Sequence, residues 1–179
     1  MAEKRGDFAL AMSKYQSVVK RNSILTEYAL WHLSQIARSS GNLMLERTFL
    51  QQILTSAPNS LIAQAAYNRI SRSYFESKSY ETAISFLQGT PSFVNGTVSN
   101  TSTNPTPTIF GNLTANDART RENLVLLGNA FLQLKKTNEA REIFNKLVTT
   151  LPNATQPDDF ALEAAKGLDM LDSDAGAFG

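Results

Sequence analysis

Cysteine is absent and histidine occurs once, at His32. The first absence excludes disulfides and thiolate metal sites, and the two together remove most nucleophile–base pairs and most transition-metal sites. No apolar run is long enough to cross a bilayer, and the opening Met-Ala-Glu-Lys-Arg-Gly-Asp is too polar for a secretory signal. Charge of one sign is not in excess: 17 Lys+Arg stand against 16 Asp+Glu, so no global field draws the chain to nucleic acid or to anionic lipid. The 9 glycines are scattered and form no phosphate-cradling loop. Asp158-Asp159 has the look of a metal pair, but it stands before a helical pattern and reads as a cap. These absences predict a soluble, non-enzymatic chain with no cofactor, no metal, no nucleic-acid partner and no direct membrane insertion.

What is present is helical periodicity that repeats. Leu124, Leu127, Phe131 and Leu134 recur at three- and four-residue steps, as do Ile143, Leu147 and Leu151, which predicts two amphipathic helices. Gly128, Phe131, Ala140, Phe144 and Pro152 punctuate that stretch. The pattern returns from Gln64, with Tyr67, Ile70, Ser71 and Tyr74, a turn near Ser77 to Ser79, then Ala83 and Leu87. It returns again from Glu27, with Leu30, Leu33, Ser34, Ala37, Gly41, Leu50, Ile53 and Pro58. Helix starts are expected at Ser60, Ser79, Thr137 and Asp158, whose side chains can accept from free helical N–H groups.

The run from Arg121 to Asn153 resembles one tetratricopeptide repeat, and the two upstream copies resemble it in turn; the family period is ~34 residues. The resemblance implies an all-α fold: a superhelical stack of antiparallel helix pairs, an α-α solenoid, with one long inserted loop. A generic helical bundle with coincidental spacing is the alternative. Glu46 departs from the family pattern, which prefers a small residue there; a glutamate is expected to hold the helices apart or to turn its carboxylate outward. Gly6, Asp7, Phe8, Ala11, Tyr15 and Val18 look like the turn and second helix of a hairpin, so the stack is expected to start with half a unit. Asp159 to Leu171, with Phe160, Ala164, Gly167 and Leu168, looks like a first helix that caps the last repeat. The expected organisation is one continuous domain: a half repeat plus two hairpins over 1–90, an insertion over 91–115, and a third hairpin plus capping helix over 116–175.

In this family the first helices line a groove, and the resemblance implies the positions that face it here. They are Tyr28, Trp31, Gln35 and Arg38 in the first copy; Asn68, Arg72 and Phe75 in the second; and Val125, Asn129, Leu132 and Gln133 in the third. Amides bond a peptide backbone while aromatics and arginine anchor it, so the mixture suits capture of an extended segment or helix of a protein partner within a larger assembly. Trp31 equally fits a gap between hairpins, and Arg38 and Arg72 equally fit solvated charges. One subfamily clamps the terminal carboxylate of chaperone tails; Asn129 is compatible with that, but Trp31 and Gln35 replace its lysine and asparagine, which disfavours it.

Two other readings stand beside the scaffold. The chain is a structural or self-associating part of a longer array, a homo-oligomer joined through an N-terminal edge of Phe8, Ala11, Met12 and Tyr15; or it is a helical appendage of an envelope enzyme. The insertion sits in a stretch from Thr82 to Asn116 without any charged residue, and its Asn95-Gly96 favours a tight hairpin turn. It is read as a segment folded back over a neighbouring hairpin, a cover for the groove, a second contact surface, or a mobile linker. Asn95, Asn100, Asn112 and Asn153 begin Asn-x-Ser/Thr triplets, matches that chance alone supplies in so Asn- and Thr-rich a chain. Low charge leans the expected compartment toward the extracytoplasmic, periplasmic side.

Overall fold

The computed structural model describes residues 7–88, 118–153 and 155–176. The 91–115 insertion and the triplets at Asn95, Asn100 and Asn112 lie outside the described residues. Within them stand eight helices and no strand: α1 (Phe8–Lys20), α2 (Thr26–Ser39), α3 (Leu43–Ser56), α4 (Leu61–Glu76), α5 (Tyr80–Gln88), α6 (Ala118–Gln133), α7 (Thr137–Thr149) and α8 (Asp159–Gly176). The fold is an all-α helical repeat stack. No helix among the described residues is long and apolar enough to cross a membrane.

The helices begin where short polar side chains can reach back to a free N–H. Asp7, Asn42, Ser60 and Asp158 accept from the amides of Leu10, Leu45, Ala63 and Ala161 at 3.1, 3.0, 3.0 and 2.8 Å. Thr137 does not cap: it is the first residue of α7, and the cap position belongs to Lys136, which makes no side-chain bond there. Leu134 and Leu151 fall just outside the helices their periodicity assigned them to.

Three helices end in one way. Gly41, Lys78 and Lys135 follow α2, α4 and α6 with φ of 75°, 56° and 58°. In each case the amide after that residue bonds back across the last turn: Asn42 to the Ala37 carbonyl, Ser79 to Tyr74 and Lys136 to Phe131. This left-handed stop reverses the chain, and it sits five residues before Glu46, Ala83 and Ala140, the positions at which the sequence repeats.

The chain divides into two compact units whose boundary falls inside α4, between Ser73 and Tyr74. In the first, α2 packs against both α1 and α3, burying Leu30, Leu33, Ile36 and Ala37 against Leu50 and Ile53. Glu46 corrects the sequence reading, since its side chain is only 1% exposed and points into the packing between α3 and α4. Arg69 Nε donates to its Oε1 at 2.5 Å and Ser73 Oγ to its Oε2 at 2.9 Å, while Arg47 donates to Ser73 Oγ at 3.0 Å. A buried carboxylate is tolerable only when paired and hydrogen-bonded in this way.

In the second unit α6 packs on α5, α7 and α8, and α8 also packs on α7. The Phe144 ring of α7 is fully buried between two helix backbones, and a Cβ added at Gly128 of α6 or Gly167 of α8 would collide with it. Arg121, also fully buried, ties the start of α6 to the α7–α8 connection. It donates to the carbonyls of Leu147 and Thr150, and its Nε and Nη2 meet Asp158 at 2.5 and 2.8 Å. The Arg121 hydrogen bond holds the Asp158 carboxyl below its ordinary range, against the opposing effect of partial burial.

Candidate partner-binding site

A helix packed along one stripe leaves the opposite stripe to solvent, and α2 shows the division clearly. Ala29, Leu30, Leu33, Ser34, Ile36 and Ala37 are buried. Tyr28, Gln35 and Arg38 are exposed, and Trp31 is half-buried, so the four residues singled out in the first copy share one accessible face. On α4, Arg72 is exposed, whereas Asn68 is 8% exposed and offers little amide surface to a ligand.

The second unit presents Phe75 at the end of α4, half-buried and packed edge-on against Tyr80 with ring centroids 5.2 Å apart. Along α6, Val125, Asn129 and Leu132 are half-buried and Gln133 is exposed. Their neighbours Leu124, Leu127, Ala130 and Phe131 are buried, so these four lie on the less packed side of the helix.

The N-terminal edge is divided. Phe8 is 40% exposed and Met12 half-buried, but Ala11 is buried and the Tyr15 ring stacks on His32, with centroids 4.9 Å apart and planes 5° from parallel. The chain's one histidine therefore serves as a packed aromatic between α1 and α2. Asp158 is occupied by its cap and by Arg121. No group of three or more His, Asp or Glu that could hold a metal occurs among the described residues.

Sequence reasoning missed the arginines that bond inside the packing: the half-buried Arg69 and Arg47, and Arg121, which is fully buried. A weak signal existed for the first pair, since Glu46 stood in a small-residue position, but its partner is 23 residues away on another helix. Residues 122–154 match the family model of the tetratricopeptide repeat. A search of curated proteins finds no match to the chain.

Proposed function

Since residues 122–154 form a tetratricopeptide repeat, a module that generally mediates protein–protein interaction, we propose that the chain is a non-enzymatic scaffold whose first-helix faces hold an extended segment of a protein partner. The observation that carries this reading is α2: its inner stripe is fully packed, yet its outer stripe places Tyr28, Trp31, Gln35 and Arg38 together. Aromatic and arginine residues are the types that dominate binding energy at interfaces. Arg72 on α4 adds a second exposed guanidinium in the same unit. Phe75, Val125, Asn129, Leu132 and Gln133 form the corresponding set in the other unit.

The test is selection of displayed random peptides on the intact chain, followed by affinity measurement with the Trp31→Ala/Arg72→Glu variant. Loss of about tenfold or more in affinity, with helical circular dichroism unchanged, is the expected result, as befits removal of interface anchors. Undiminished binding would move the partner to another surface.

A further inference from the structure

Helix α7 lies between α6 and α8, whereas α1 packs closely on α2 alone among the described helices. Repeat position by repeat position, the difference shows. Ala11 stands where α3 has Glu46 and α7 has Ala140, so Tyr15 corresponds to Leu50 and Phe144, and Val18 to Ile53 and Leu147. Those four counterparts are fully buried, but Tyr15 and Val18 are only half-buried, and Phe8 and Met12 beside them are also accessible. One flank of α1 is therefore open where a first helix covers the second in a complete repeat. On α8 the converse face is open. Added Cβ atoms at Gly128 and Gly167 would meet opposite edges of the Phe144 ring, which sets α6 and α8 in one register. In that register Glu163, Lys166 and Met170 of α8 stand where α6 has Leu124, Leu127 and Phe131. The three α6 side chains are buried; the three on α8 are exposed, Met170 at 56%, with Leu162 near them at 49%.

We propose that α8 of one copy of this chain seats on the open flank of α1 of a second copy, as a first helix seats on the second within a repeat. Charge complementarity selects this occupant. α1 and its C-cap expose Lys14, Lys20 and Arg21, while Asp7 is engaged as the N-cap. α8 exposes Asp159, Glu163 and Asp169 against one cation, Lys166, and its Asp172 pairs with Arg141 at 2.7 Å. Lys14 holds the place that Ile143 has in α7, and Glu163 the place that Leu124 has in α6. Opposite charges thus replace apolar residues on the two open faces, so each face is hydrated alone and complementary to the other. A basic helix repels its own copy, and so does an acidic one; the contact is therefore heterologous, joining two different surfaces. It uses neither Trp31 nor Arg72, so it stands apart from the peptide-binding reading.

Sedimentation equilibrium of the full chain tests this, with charge reversals at Lys14 and Glu163, both exposed and so replaceable without loss of the fold. The parent is expected to associate with rising concentration, and less so at high salt. Lys14→Glu and Glu163→Lys should each weaken association about tenfold or more, the scale of a like-charge juxtaposition at an interface. Combined in one chain they exchange the signs across the contact and should restore most of the lost affinity. The Trp31→Ala/Arg72→Glu variant should associate like the parent, which separates failure here from failure of the first-helix face. A parent that stays monomeric at millimolar concentration, association indifferent to Glu163→Lys, a double reversal no stronger than the single ones, or association lost in Trp31→Ala/Arg72→Glu would overturn the proposal.

Discussion

Phe144 shows how much one side chain can fix. Its ring fills the space that Gly128 and Gly167 leave open on α6 and α8, so the two glycines are chosen for absence of a Cβ and not for backbone freedom. Alanine at either position gains about 1 kcal/mol in helix propensity but must displace a fully buried ring, an overpacking cost of about 1–3 kcal/mol. Gly128→Ala is therefore expected to destabilise by up to about 2 kcal/mol in denaturant titration. Combined with Phe144→Leu, it should cost less than the sum of the two single changes, because they share one contact. Additive costs would show that the ring does not set the helix spacing. Gly128, Ala140 and Phe144 were legible in the sequence because small and large residues at fixed spacing imply contact. Glu46 was not: its burial depends on Arg69, Ser73 and Arg47, and no local pattern announces a pairing across helices.

At the scale of elements, the repeat is carried by the helix stops as much as by the core. Gly41, Lys78 and Lys135 hold the same left-handed conformation, and two of the three are lysines. A side chain with a Cβ costs about 1 kcal/mol in this region, whereas glycine enters it freely. Lys135→Gly and Lys78→Gly are thus expected to raise stability by about 0.5–1 kcal/mol each, and Gly41→Ala to lower it by a similar amount, as read from thermal midpoints. A lower midpoint for Lys135→Gly would mean that the lysine side chain contributes more than its backbone costs. The sequence placed the turns at Gly41 and at Ser77 to Ser79 correctly, since polar and flexible residues break the apolar period. It missed Lys135 because lysine carries no turn signature, and that same miss shifted the expected cap from Lys136 to Thr137.

For the whole molecule, division into two compact units with a boundary inside α4 implies that stability is distributed, as it is in repeat proteins generally. The Arg121–Asp158 pair offers a way to weaken one unit alone. Asp158 has a folded-state pKa below its unfolded value, because Arg121 bonds the carboxylate. Its contribution is present above the ordinary carboxylate pKa of about 4 and is lost as pH falls through the lower folded value. Asp158→Asn removes the charge at every pH and leaves Arg121 buried without its counter-ion, at a cost of about 3–5 kcal/mol for a broken buried pair, reduced because Asp158 is 27% exposed. Hydrogen exchange at neutral pH should then show faster exchange across α6, α7 and α8, with α2 and α3 losing far less protection. The acid sensitivity of the parent below about pH 4 should also be smaller in the variant, which has no carboxylate at 158 to protonate. Equal loss of protection in α2 and α3 would mean that the two units open as one cooperative body, and that the continuous α4 transmits stability from end to end.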